Sequence, residues 1–184
     1  MSNTIDYTIE RTIENVELRH YPPMVLVTVQ GMADNEAFGI LFRYISGNNR
    51  TVTKLPMTVP VISTRQRIAM TAPVVSDEDS FSFVLPPSST IDNTPQPLDP
   101  RSTLESVPER WIAALRFRGT AGAEAVAEKC RELRDILARH EILTKGAAFL
   151  MRYNAPVTPG FLRRNEVGIE LVSPSALRMR STDE

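Results

Sequence analysis

The chain has 184 residues, 42% hydrophobic and 23% charged, an ordinary globular composition with enough length to bury a core. Lys and Arg number 21 against 22 Asp and Glu, a net charge of -1, so no global positive field recruits nucleic acid or anionic membrane. One cysteine, Cys130, excludes an intrachain disulfide and a thiolate zinc site; in a helical pattern it reads as a half-buried small hydrophobe. Met1-Ser-Asn-Thr-Ile-Asp6 lacks the basic and apolar regions of a signal peptide, and no apolar run approaches the roughly 18 residues of a membrane span. The expectation is a soluble, cytoplasmic protein.

Residues 7–31 predict two strands split by Pro22-Pro23. In the first, Val16, Leu18 and His20 share one face while Glu17, Arg19 and Tyr21 share the other. The second, Val25 to Val29, ends at Gly31. Asp34 or Asn35 then caps a helix to about Ile45, with Phe38, Leu41, Phe42 and Ile45 as its apolar stripe and Ser46-Gly-Asn-Asn49 as its end. A doubled phrase follows, Leu55-Pro-Met-Thr-Val-Pro-Val61 and Ile68-Ala-Met-Thr-Ala-Pro-Val74, read as neighbouring strands around Ser63-Thr-Arg-Gln-Arg67. Phe81-Ser-Phe-Val-Leu85 is a further strand, and the proline-rich stretch 86–100 reads as a linker.

Beyond it the pattern repeats: a strand from Trp111 to Arg118, Gly119, a helix of about Glu124–His140, then strands at Ala148–Tyr153 and Glu166–Val172. Shifting by 88 places Gly31 on Gly119, and Val25, Val27 and Val29 on Ala113, Leu115 and Phe117. The pattern predicts one α+β domain over residues 1–184 with pseudo-repeat halves of about 7–85 and 101–172. Two helices would pack on a curved antiparallel sheet, with a cleft for a small ligand where the halves meet.

His20 shares its face with Val16 and Leu18, and a neutral imidazole against an apolar surround suits either haem iron or a core-edge hydrogen bond to backbone. His140 ends the second helix, where the dipole favours a cation. Two distant histidines offer no zinc or non-haem iron pattern, and no phosphate loop, serine elbow or HExxH run is present. Met57 and Met70 read as core filler or as the border of a flexible apolar pocket. Arg43, Arg65, Arg67, Arg163 and Arg164 read as solvated surface or as partners for carboxylate tails. Glu166 could pair internally with an arginine.

The doublet, with Glu17-Leu-Arg-His-Tyr21, Tyr44-Ile-Ser-Gly-Asn48, Phe83-Val-Leu-Pro86, Tyr153-Asn-Ala-Pro156 and Phe161-Leu-Arg-Arg-Asn-Glu-Val167, resembles the SOUL/haem-binding protein family from Tyr7 to Val172. The resemblance implies a distorted antiparallel barrel-like sheet with two helices and a pseudo-twofold repeat, similar to the small-molecule-binding domains of GyrI-like regulators. It implies haem or another tetrapyrrole as ligand, with His20 at the position of an axial ligand to iron. Phe38 and Phe42 would lie on an apolar helix face, with Arg43 near a propionate. The family usually carries Trp after Arg-Asn-Glu-Val, where this chain has Gly168. The expected role is a non-enzymatic carrier, buffer or sensor for haem or a similar flat apolar ligand, without nucleic acid or a membrane span. The alternatives are a general small-molecule binding domain and a haem-degrading enzyme.

Overall fold

Breaks in the chain fall where proline or glycine interrupts runs of β-branched and aromatic residues. A computed structural model describes residues 3–52, 63–154 and 157–172. Strands β1 (Asn3–Thr4), β2 (Thr8–Ile13), β3 (Val16–Tyr21) and β4 (Met24–Gln30) lead into helix α1 (Asp34–Ile45). Next come β5 (Asn49–Val52), β6 (Ser63–Thr64), β7 (Thr71–Ser76), β8 (Ser80–Val84), β9 (Gln96–Pro97) and β10 (Ser102–Val107). The remainder is β11 (Arg110–Arg118), α2 (Ala123–Arg139), β12 (Thr144–Arg152), a 3-10 turn at Gly160–Leu162 and β13 (Arg164–Leu171). The first copy of the doublet, with Met57, lies outside the described residues; the second runs into β7.

The chain divides into two compact units, 1–5 with 24–107, and 6–23 with 108–184. The first holds the antiparallel order β10-β4-β8-β7, with β1 added parallel to β7. A small sheet, β6-β5-β9, accompanies it. The second unit is antiparallel throughout, β12-β13-β11-β3-β2. The class is α+β, and neither unit's strand order closes on itself, so the expected barrel-like sheet is open in each.

The internal repeat is present in both units. β4 is followed by Gly31 (φ +67°) and α1, and β11 by Gly119 (φ +105°) and α2, each glycine taking the left-handed turn that a side chain resists. Then β7-β8 and β12-β13 follow, with β8 beside β4 and β13 beside β11. Val25, Val27 and Val29 face Ala37, Ile40, Leu41, Tyr44 and Ile45 of α1 in one core. Their counterparts Ala113, Leu115 and Phe117 face Leu133, Ile136 and Leu137 of α2 in the other. Burying those three α2 side chains contributes about 1.5–3 kcal/mol each.

The strands that precede β4 and β11 change places. β3 pairs with β11, and β10 with β4, so the second unit takes β2 and β3 from the first half of the sequence and the first unit takes β10 from the second. Residues 86–100 therefore lie inside the first unit, and the divisions fall at 5/6, 23/24 and 107/108. β10, Ser-Thr-Leu-Glu-Ser-Val, escapes sequence analysis because its apolar residues are sparse and only its ends, Ser102 and Val107, are buried. The early part of β12 escapes because Gly146 (φ +71°) sits in a bulge between Lys145 and Phe149.

Candidate functional site

In the first unit α1 turns Ala37, Ile40, Leu41, Tyr44 and Ile45 inward. The stripe expected from periodicity was Phe38, Leu41, Phe42 and Ile45, and Phe42 departs from it, standing 49% exposed. Phe38 is half-buried and anchored edge-on against Phe81 and Phe83, at centroid distances of 6.5 and 5.4 Å. Phe42 stacks on Phe38 at 5.9 Å, with the rings 13° from parallel. Gly39 and Arg43 lie beside this pair, one residue on from Phe38 and Phe42. A Cβ at Gly39 would stand 3.7 Å from Arg43 Nη1, so the guanidinium lies close over the glycine. Phe38, Gly39, Phe42 and Arg43 thus form one low surface, aromatic on one side and cationic on the other.

Arg43 also borders an open cavity of about 490 Å³, lined by Ser46, Gly47, Asn48, Arg65, Gln66 and Arg67. Buried Asn49 builds its wall. Its Nδ2 donates to the carbonyls of Tyr44 (2.8 Å) and Gln66 (2.7 Å), while its Oδ1 accepts from Gln66 N–H at 3.0 Å. Ile68 N–H donates to Ile45 carbonyl at 2.8 Å, completing the tie to the end of α1. Sequence analysis saw Asn49 only as a helix terminator, because Gln66, which it ties to the end of α1, lies 17 residues away. Asp99 senses the charge of Arg43, but Arg101 grips both its carboxylate oxygens, at 2.9 and 2.7 Å, and holds its carboxyl down at about 2. Among the described residues no ion pair is formed between Arg43 and a carboxylate there.

His20, in the second unit, lies on the α2 face of β3 opposite Trp111 of β11. The two rings stack at 4.6 Å. Its Nε2 is 3.1 Å from Glu109 Oε2, and the imidazole is 27% exposed. The expected apolar side is real, since Val16 and Leu18 are buried in the α2 core. His20 itself sits where that face opens to solvent, with an exposed carboxylate rather than backbone as its partner.

The opposite face of β3 is buried too. Arg19 is 1% exposed and forms two hydrogen bonds to Glu166, Nη1 to Oε2 at 2.6 Å and Nη2 to Oε1 at 3.0 Å. Tyr153 Oη donates to the same carboxylate at 2.7 Å, and Arg164 and Arg116 donate at 2.8 and 3.3 Å. Arg19 also reaches Glu17 and Tyr21 and lies 4.2 Å over the Tyr7 ring. Burial alone would raise the Glu166 carboxyl, but the hydrogen bonds and charge of Arg19 outweigh it and leave it at about 2. Burial pushes the Tyr153 hydroxyl up, so it stays protonated and donates.

Gly168 follows this cluster on β13, opposite Phe149 of β12 and Ala114 of β11. A Cβ there would meet Phe149 Cε2 at 2.8 Å and Met151 Cε at 2.9 Å. The room that a Trp would take is already filled by these two side chains.

His140 occupies the C-cap of α2 and pairs with Glu14 at 3.2 Å. Cys130 is half-buried against the core, and burial pushes its thiol up. Among the described residues no group of three or more His, Cys, Asp or Glu could hold a metal ion. No described helix is long and apolar enough to cross a membrane.

The architecture is an α+β fold of two repeated strand–helix–strand–strand units, one of which displays an aromatic and cationic helix face. The family model "SOUL heme-binding protein" matches residues 2–170, and the chain belongs to that family. No curated protein matches it in sequence. Among solved structures it is similar to the EcmrR C-terminal domain at 9% identity, over 90% of this chain and 97% of that one, with a TM-score of 0.52. It is also similar to a hydrolase from Listeria innocua at 14% identity, over 84% and 90%, TM-score 0.53. A third match is EcmrR in the structure of its DNA complex, at 11% identity over 85% of this chain and 57% of that one, TM-score 0.52. These likenesses show the α+β fold.

Two outcomes follow from the packing. Glu166→Gln leaves Arg19 uncompensated and should cost about 3–5 kcal/mol in urea unfolding. The Glu166 carboxyl lies below its ordinary 4.5, so its contribution is complete above pH 4.5 and is lost as pH falls toward 2; the variant should lose stability less steeply across that window. Gly168→Ala overpacks the β12–β13 contact and should destabilise by about 1–3 kcal/mol, read as a lower urea midpoint with unchanged slope.

Proposed function

We propose that this chain is a non-enzymatic haem- or tetrapyrrole-binding protein, a carrier, buffer or sensor, that takes the porphyrin on the outer face of α1. Membership of a heme-binding family supports the ligand class. The observation that carries the site is Phe42, held half-exposed by stacking on an anchored Phe38 rather than tucked into the core. A flat ring system gains area on two near-parallel aromatic rings. Arg43 stands beside them to receive a propionate in a charge-assisted, forked hydrogen bond. A bound haem would supply an iron centre able to take an axial ligand or change oxidation state.

A second reading places His20 on the iron. Its support is the exposed edge of the imidazole, braced by Trp111 and paired with Glu109, which is itself 58% exposed. Nε2 would exchange that carboxylate for the metal. A general site for flat apolar molecules is the remaining alternative, and it predicts similar affinity for ligands without carboxylates. Haem breakdown comes last, because Arg19 and its neighbours saturate Glu166 and leave it a poor proton shuttle.

A haemin titration followed by absorbance separates these. The native chain should give a saturating one-to-one Soret shift. Phe42→Glu and Arg43→Glu should each weaken it at least tenfold, about 1.4 kcal/mol. His20→Ala should leave affinity within a few-fold if the α1 face carries binding, and should displace the Soret maximum if His20 ligates the iron. No Soret change with the native chain would overturn the haem reading. Loss of the band under reductant and oxygen, with a stoichiometric product, would overturn the non-enzymatic one.

A further inference from the structure

Between Ala37 and Ser76 the sequence has no Asp or Glu, while Arg43, Arg50, Lys54, Arg65 and Arg67 all fall there. The net charge of the whole chain, -1, conceals this cationic stretch. Three of its arginines meet at the cavity beyond the end of α1: Arg65 and Arg67 line it and Arg43 borders it, together with Ser46, Gly47, Asn48 and Gln66. That lining holds no carboxylate and no apolar side chain. Among the described residues none of the three arginines forms an ion pair. Asp99, the acid that feels the charge of Arg43, is held by Arg101 on both oxygens.

A helix C-terminus attracts cations to its free carbonyls, which alone could place arginines here. Those carbonyls are already taken. Phe42 carbonyl accepts from Ser46 N–H at 3.0 Å, Arg43 carbonyl from Asn48 N–H at 2.9 Å and Ile45 carbonyl from Ile68 N–H at 2.8 Å. Tyr44 carbonyl accepts from Gly47 N–H at 3.2 Å and from Asn49 Nδ2 at 2.8 Å. The guanidinium groups are therefore not needed to cap the helix. Buried Asn49 also fixes where two of them stand, since it bonds both the N–H and the carbonyl of Gln66, the residue between Arg65 and Arg67. Like charges held around one cavity repel each other, and a bound anion would offset that repulsion.

We propose that this cavity binds an oligophosphate, free or carried on a small organic molecule. Guanidinium forks match pairs of phosphate oxygens, and three of them offer more donors than a single carboxylate can accept. The volume, about 490 Å³, falls in the range of small-ligand sites, roughly 300–1,000 Å³, while the polar lining offers nothing to a porphyrin ring. Gln66 and Arg67 also line an adjoining cavity of about 300 Å³, with Ser88, Ser89, Asn93 and Thr94 in its wall, which gives room to a group that carries the phosphates. The site shares only Arg43 with the outer face of α1 and is independent of whether haem binds there.

The test is isothermal titration calorimetry of the full, haem-free chain with sodium tripolyphosphate, adenosine triphosphate and citrate. Tripolyphosphate should bind saturably at one site, and more weakly as added salt screens the arginines. The double variant Arg65→Ala, Arg67→Ala should lose at least tenfold in affinity, with unchanged circular dichroism showing that it folds. Arg131→Ala, Arg134→Ala on α2 removes the same charge and should lose less than about twofold. Arg65→Lys, Arg67→Lys keeps the charge without the forks and should fall between the two. Adenosine triphosphate bound more tightly than tripolyphosphate identifies a carried phosphate as the ligand, and bound no more tightly, a free one. The Arg65→Ala, Arg67→Ala variant should leave the haemin titration unchanged, so this site and the porphyrin face are read separately. No saturable binding of either phosphate, citrate bound as tightly as tripolyphosphate, or equal losses in the two alanine variants would overturn the proposal.

Discussion

The second unit is organised around the buried ion pair of Arg19 and Glu166. Two charges removed from water carry a large desolvation cost, and the pair is tolerable only because nearly every lone pair and N–H is used. Its partners come from β3, β11 and β13, with Tyr153 following β12, so one cluster ties four segments together. Side chains alternate faces along a strand, so a slip of one residue in β3 would drive Arg19 into the α2 core and turn Leu18 toward the carboxylate. The cluster thus specifies register as much as it stabilises. It also occupies the carboxylate of Glu166, leaving it no free role as an acid–base group.

The two helices occupy equivalent places and have diverged in what they show to solvent. α2 presents Glu124, Glu128, Arg131, Arg134 and Asp135, an ordinary solvated face. α1 presents Phe38, Gly39, Phe42 and Arg43, an unusual choice for a surface helix. Both inner faces follow the same rule, since each packs on alternate residues of the strand before it. The repeat accounts for the scaffold, and the departure from it is the face on which the proposed site lies.

Fold likeness at 9–14% identity links this chain to proteins described as a hydrolase and as a domain of a DNA-bound protein. A shared fold does not carry those activities across. Family membership supports heme binding at the level of the family. At Gly168 the space beside the backbone is taken by Phe149 and Met151, so these side chains keep the sheet packed there.

The sequence by itself determined both helices to within a residue or two, the glycine turns that open them, the repeat, the inward face of β3 and the family. Those features rest on local periodicity, backbone sterics and motif order, which a chain carries wherever it folds. Only the tertiary structure decided that β3 and β10 change places between the halves, that Arg19 is buried against Glu166, that Asn49 draws Arg65 and Arg67 beside Arg43, and that Phe42 faces outward. In the sequence Phe42 looked like core, and Arg19 was placed only on the face of β3 opposite Val16 and Leu18. Their burial depends on partners up to 147 residues away, and periodicity reports which residues share a face but not what that face meets.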